Sequence, residues 1–176
     1  MAVALSTRQR VLVGQYAPGL WLLPVCAYFA VVPYGETGVL GLPWLLVHSA
    51  NLLAHEAGHF VFRFFGELMM IAGGSILQLL LPCAFLSTAL RTDSKVGAQL
   101  SLVWLGQNWI DVSVYAADAV DRSLPLLGGL GAESHDWHNL LVRLGLLEHT
   151  AWIAGGMVVC AYAVWALMLV VPRWVG

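Results

Sequence analysis

Charged residues are scarce in this chain. Only 10% of its 176 residues are Asp, Glu, Lys or Arg, whereas a typical soluble domain carries about a quarter. Hydrophobic residues make up 60%, and the mean hydropathy is +0.79. Water could not solvate a surface of this composition, but lipid can. The composition therefore excludes an ordinary soluble domain and indicates an integral membrane protein in a lipid bilayer.

The chain also lacks an excess of positive charge. Eight Lys and Arg stand against ten Asp and Glu, which gives a net charge of -2. A nucleic-acid-binding protein needs a basic surface to neutralise phosphates. The sequence therefore predicts no nucleic-acid partner.

Cysteine is rare as well. Cys26, Cys83 and Cys160 are the only three, and each lies in an apolar stretch. An odd number in such surroundings is typical of small buried hydrophobic residues. This pattern excludes a disulfide framework and a thiolate metal site.

Long apolar stretches are what the chain does have. A membrane-spanning helix needs about 20 mostly apolar residues, and five stretches qualify: 16–34, 39–64, 68–90, 97–118 and 150–171. They predict an all-α fold, a polytopic membrane helix bundle that forms one integral membrane domain over residues 1–176. The distribution of Lys and Arg among the links favours a cytoplasmic N-terminus.

The one long link is polar and rich in glycine. Residues 119–149 contain Pro125, the glycines Gly128, Gly129 and Gly131, and then the run Glu133-Ser134-His135-Asp136-Trp137-His138-Asn139. A connection of this length in a small membrane protein is more often functional than idle. We therefore expect an ordered functional loop, in which 140–147 could form a short interfacial helix.

The second predicted helix carries the motif His55-Glu56-Ala57-Gly58-His59. Histidines at i and i+4 lie on one helical face and can bind one metal ion, and the glutamate beside them can act as a general base. A chance match or a pair of packed histidines is the competing explanation. Ionisable residues are disfavoured inside a membrane, however, and the motif belongs to a polar stripe formed by His48, Asn51, His55, His59 and Arg63. We therefore predict that His55 and His59 bind one Zn2+ ion and that Glu56 is catalytic.

A catalytic zinc usually has three protein ligands, so a third must come from elsewhere. The fourth predicted helix carries a second polar stripe, with Asp111, Tyr115, Asp118 and Arg122 on one face. Helices two and four run in the same direction, so these residues, the motif and the loop reach the same membrane face. We rank Asp118 and His135 first as additional metal ligands, followed by Asp111, Asp136 and His138. For the two helix carboxylates, an interfacial position beside Arg122 is an equally good explanation, and for the histidines a solvated loop is.

The stretch from Leu53 to Pro82 resembles the site-2 protease family of intramembrane zinc metalloproteases. It combines HExGH with Gly73-Gly74-Ser75 and Gln78. The resemblance implies that His55 and His59 bind zinc, that Glu56 activates water, and that Gln78 contacts substrate. The family takes a third ligand from an Asp-Gly motif that follows Asn and Pro. Asn108 and Asp111 are present here, but the Pro and the Gly are not, so the resemblance does not assign that ligand.

The predicted function is a membrane-embedded zinc-dependent hydrolase, most similar to an intramembrane metalloprotease. Its partners would be the bilayer and a transmembrane or membrane-proximal peptide. Gly74 could lie beside that substrate, although helix packing is the commoner role of such glycines. Two alternatives stay open: a metal-dependent oxidase or hydroxylase acting on lipid, which the His135-x-x-His138 spacing would allow, and a non-catalytic metal-binding membrane protein.

Overall fold

The protein is all-helical. A computed structural model describes residues 6–175, and this range contains no strand. Its six α-helices are α1 (Thr7–Val31), α2 (Gly38–Phe62), α3 (Glu67–Arg91), α4 (Lys95–Ala117), α5 (Asp136–Leu144) and α6 (Thr150–Val170). The all-α prediction is confirmed.

Four of the five long helices match the predicted apolar stretches to within two residues at each end, whereas α1 begins at Thr7 and ends at Val31 instead of spanning 16–34. Local residues explain where several of these helices begin or end. Gly66 has a φ of 95°, a conformation that favours glycine and joins α2 to α3 through one short turn. The hydroxyl of Ser94 accepts a hydrogen bond from the backbone N–H of Gly97 and caps α4. Pro172 lies directly after α6, where a helix cannot continue undisturbed.

Two of the helical stretches, Glu67–Arg91 and Leu147–Arg173, are long and apolar enough to cross a membrane. Tyr16–Val31 is a shorter apolar helix. The helices α2 and α4 interrupt their apolar sequences with polar side chains. Most of these are buried inside the bundle, among them Asn51, His55, Gln107 and Asp111.

Helix α4 is the centre of the bundle and packs against α1, α3 and α6, while α2 packs on α3. The contact between α2 and α3 is unusually close where Gly58 crosses Gly73 and Gly74. A Cβ atom on Gly58 would overlap the backbone of Gly73. Glycine at this crossing therefore brings the polar face of α2 close to α3.

The segment between α4 and α6 folds back over one end of the bundle. The carboxylate of Asp118 accepts hydrogen bonds from the backbone N–H groups of Ser123 and Leu124 and so fixes the turn after α4. Further on, the short helix α5 docks through Leu141, which is 1% exposed, and through an ion pair between Arg143 and Glu67. The docked helix places its first residue, Asp136, beside α2. The interfacial helix expected at 140–147 begins earlier, at Asp136, and ends at Leu144.

Candidate metal centre

Three side chains converge between α2 and α5. The Nε2 atoms of His55 and His59 lie 3.1 Å and 3.2 Å from the same oxygen, Oδ2 of Asp136. Within the part of the chain that the structure describes, this is the one group of three His, Cys, Asp or Glu side chains whose ligand atoms all lie within 4.8 Å of one another. This group of His55, His59 and Asp136, called the metal group below, could hold a metal ion.

The hydrogen bonding of His59 fits a bound cation. Its Nδ1 lies 2.8 Å from the carbonyl oxygen of Met70, which can only accept, so the proton is on Nδ1. In the neutral ring, Nε2 then presents a lone pair to the carboxylate oxygen of Asp136. Two lone pairs at 3.2 Å repel each other, and a positive charge between them removes the repulsion.

His55 has the same arrangement with a different partner. Its Nδ1 lies 3.3 Å from Oε1 of Gln78, and its Nε2 faces Asp136. In the neutral form with the proton on Nδ1, both rings direct a bare Nε2 towards one point, as metal-binding histidines do when their second nitrogen is hydrogen-bonded. The two imidazoles lie edge to face, with ring centroids 4.8 Å apart.

Asp136 is held as a carboxylate. Burial raises the pKa of this group, but in the absence of a metal ion protonated His55 and His59 outweigh burial through their hydrogen bonds and charges and lower the pKa to about 2. A metal ion in place of those protons would act in the same direction. The hydroxyl of Tyr115 lies 3.3 Å from Oδ2 and accepts a hydrogen bond from the backbone N–H of Asp136. An ionised, anchored carboxylate is the form that binds a metal.

Gly74 shapes the site from α3. A Cβ atom at this position would lie 2.5 Å from Nε2 of His55, far inside van der Waals contact. Gly74 therefore packs against the imidazole ring. This is the packing role that the sequence left open beside a role in substrate binding.

Asp111 belongs to a neighbouring polar cluster rather than to the metal group. Its carboxylate lies 2.8 Å from Nδ1 of His48 and accepts hydrogen bonds from the amides of Asn51 and Gln78. The other ring nitrogen of His48 lies 3.0 Å from the hydroxyl of Tyr34, which can donate to it. His48 is thus satisfied without a cation, and Asp111 lies outside the group formed by His55, His59 and Asp136.

The remaining candidate ligands also lie apart from the His55–His59 pair. The sequence ranked Asp118 and His135 above Asp136, whereas the structure places Asp136 beside the two histidines. Nε2 of His135 lies 3.3 Å from Oδ2 of Asp118, and the ring of His135 packs on Tyr115 with centroids 4.4 Å apart. Nδ1 of His135 accepts the backbone N–H of His138 and caps α5. Burial lowers the pKa of His135 by more than Asp118 raises it, so the ring is neutral. Nδ1 of His138 lies 2.8 Å from the carbonyl oxygen of Ala119.

The metal group opens into a cavity of about 270 Å³. Glu56 and Gln78 line this cavity near the metal group, and His48 and Tyr34 line it two helical turns away, about 10 Å along α2. Between the polar groups its walls are mainly apolar, and they include the segment 124–127 of the long link. The site thus combines a metal group, a carboxylate and an apolar binding space.

The sequence interpretation gave no role to two groups that contribute to the site. It named Tyr115 only as a member of the polar stripe on the fourth predicted helix, and that position on the stripe was a signal that could have identified it. The carbonyl oxygen of Met70, which orients His59, belongs to the backbone and leaves no trace in residue identity.

Comparison of the chain with protein-family models, with curated proteins and with solved structures finds no match.

Proposed function

We propose that this protein is a membrane-embedded zinc-dependent hydrolase that acts like an intramembrane metalloprotease. The observation that carries the proposal is the convergence of two bare imidazole nitrogens and one ionised carboxylate oxygen on a single point. Two histidines and one acidic residue are an established ligand set of catalytic zinc. Zinc bound there would polarise a substrate carbonyl and lower the pKa of water.

Glu56 is the proposed general base. It follows His55 directly on α2, and its side chain lines the same cavity. A carboxylate in this position can take a proton from an attacking water and pass it to the leaving amine. This role also explains why an acidic residue stands on a helix in which charge is costly.

The proposed substrate is a peptide segment within or next to the membrane. The cavity has mainly apolar walls and polar groups near both ends, which suits an unwound stretch of apolar polypeptide. An intact helix hides its amides in internal hydrogen bonds, so the scissile segment must be extended when it binds.

Insertion of all five long helices in the bilayer is part of the same proposal. Outward-facing residues of α2 are large and apolar: Val39, Leu46 and Leu53 are 88%, 62% and 74% exposed. Its polar residues Asn51 and His55 are 1% and 5% exposed. Lipid around the bundle would stabilise this distribution, which water would not.

The metal group is tested by the zinc content of purified variants. We expect His55→Ala, His59→Ala and Asp136→Ala each to lose the bound ion, because each removes one of three ligands. Asp121→Ala and His149→Ala, which change an exposed aspartate and an exposed histidine outside the metal group, are the matched controls and should keep the ion. Elemental analysis after gentle detergent extraction gives the answer. Retention of zinc in Asp136→Ala would overturn this ligand assignment.

Catalysis is tested by Glu56→Gln. This variant should bind zinc like the wild type, because Glu56 is not a ligand, while losing cleavage of an unwound membrane peptide by a factor of roughly 10² or more. A library of transmembrane peptides in detergent, followed by mass spectrometry, would detect the products. Wild-type cleavage rates in Glu56→Gln would exclude the base. Iron or two metal ions per chain would favour an oxidase or hydroxylase instead.

A further inference from the structure

We propose that Gln78 and Asp111 are positioning residues that keep the proton of His55 on Nδ1 and thereby leave Nε2 free for the metal ion. This inference deepens the proposed function, since it rests on a metal at the His55–His59–Asp136 group. A chain of hydrogen bonds links these residues to His55, and groups that can only donate or only accept fix the direction of each bond.

The chain starts at the indole of Trp104 on α4. Its Nε1–H can only donate, and it lies 2.9 Å from Oδ1 of Asn51. The oxygen of this amide therefore faces Trp104. Its NH2 group must then face the carboxylate of Asp111, to which it donates at 2.9 Å. Because Asn51 is 1% exposed, no water competes for this amide.

The carboxylate of Asp111 fixes the next amide. It can only accept, and Nε2 of Gln78 lies 3.1 Å from its Oδ2. The NH2 group of Gln78 is thereby committed to Asp111, and its oxygen Oε1 must point the other way. Gln78 and Asp111 are 5% and 4% exposed, so this orientation is enforced inside the bundle.

The oxygen of Gln78 decides the state of His55. It lies 3.3 Å from Nδ1 and can only accept, so it stabilises the ring form with the proton on Nδ1. A reversed amide would present hydrogens to Nδ1 and favour the proton on Nε2, where it would block the metal. Asp111 thus acts on the metal group through Gln78 without touching the ion.

The same contacts argue against Gln78 as the residue that binds substrate. Both ends of its amide are occupied, one by His55 and one by Asp111. To donate a hydrogen bond to the carbonyl oxygen of a substrate, Gln78 would first have to break one of these buried hydrogen bonds.

Zinc affinity of the purified full-length protein, measured by competition with a chromophoric chelator, tests the inference without a substrate. Gln78→Leu removes the acceptor and should weaken zinc binding by roughly 10- to 100-fold, the usual effect of losing such a partner. The control is Gln99→Leu, because Gln99 is an equally buried glutamine that instead bonds to the carbonyl oxygen of Met168. It should bind zinc like the wild type.

The conservative variant Gln78→Glu separates positioning from mere packing. Two buried carboxylates in contact share one proton, so a protonated Glu at position 78 can donate its hydroxyl to Asp111 and still accept from Nδ1 of His55 through its carbonyl oxygen. Its zinc affinity should stay within a few-fold of the wild type. Zinc binding by Gln78→Leu at wild-type strength would overturn the inference, as would a folded Gln78→Glu variant as weak as Gln78→Leu. A wild type that binds no zinc would instead refute the proposed function itself.

Discussion

At the scale of single residues, the hydrogen-bond partner of the ring nitrogen that faces away from the carboxylate decides whether a histidine can bind a metal ion. His48 and His55 both face a carboxylate in one cavity. The hydroxyl of Tyr34 can donate a hydrogen bond to Nε2 of His48. The amide oxygen of Gln78 beside Nδ1 of His55 can only accept one. The neutral ring of His48 is therefore satisfied by these two hydrogen bonds, whereas His55 faces an acceptor at each nitrogen and could be satisfied by a metal ion at Nε2.

Gly74→Ala is a sharp test at this scale. The added methyl carbon would lie 2.5 Å from Nε2 of His55, so the ring must move. Ligands need to be held within about 0.5 Å of their working positions, and we expect roughly 10-fold weaker zinc binding or more. Isothermal titration with zinc would measure the change.

Gly155→Ala is the matched control, because a Cβ atom at Gly155 in α6 meets no heavy atom within 4 Å. It should leave zinc affinity unchanged. Equal affinities in the two alanine variants would show that the ring of His55 tolerates the contact and that Gly74 is not needed for the metal group.

At the scale of elements, the long helices could be predicted from the sequence. The place of Asp136 beside the two histidines could not. Apolar runs locate helices because a bilayer or a helical core demands them. The polar stripes also anticipated that α2 meets α4, which the bond between Asn51 and Asp111 shows. Asp136 lies after an irregular segment whose path depends on turns fixed by Asp118, and no periodicity encodes such a path. One residue earlier, His135 is used as a helix cap instead.

The docking of α5 can be weakened without touching a ligand. Leu141→Ala removes a side chain that is 1% exposed and should destabilise the docked helix by about 2–5 kcal/mol. Because α5 carries Asp136, zinc binding should weaken with it. Leu144→Ala makes the same chemical change at a residue that is 49% exposed, and it should bind zinc normally.

Limited proteolysis of the segment 119–135, with and without zinc, would report the docking directly. We expect zinc to slow cleavage in the wild type and to have a much smaller effect in Leu141→Ala. The coupling between α5 and the metal is refuted if zinc protects both proteins equally.

At the scale of the whole molecule, several polar side chains are buried inside the bundle, and many large apolar side chains are exposed. Large residues such as Trp21 and Trp152 are more than 80% exposed, while Gln99, Gln107 and Asn108 are almost completely buried. A protein in water shows the reverse tendency, which is why the five-helix insertion remains the best proposal for the chain as a whole.

Cysteine labelling tests this arrangement. In a chain whose natural cysteines are replaced by alanine, Thr92→Cys and Glu133→Cys place thiols at exposed positions in the α3–α4 link and in the long segment. If α4 crosses the bilayer, a membrane-impermeant maleimide should label the two variants from opposite sides of sealed vesicles. Labelling of both from the same side would exclude the crossing.

The position of Asp136 has a consequence for how the protein would obtain the proposed metal ion. Two of the proposed ligands belong to a long helix, but the third belongs to a segment that joins α4 to α6 and lies at one end of the bundle. If the long helices are inserted as proposed, that end faces a single compartment. The direction in which the chain enters the membrane would then choose the ion supply, so the same sequence inserted the other way round would draw on a different cellular store.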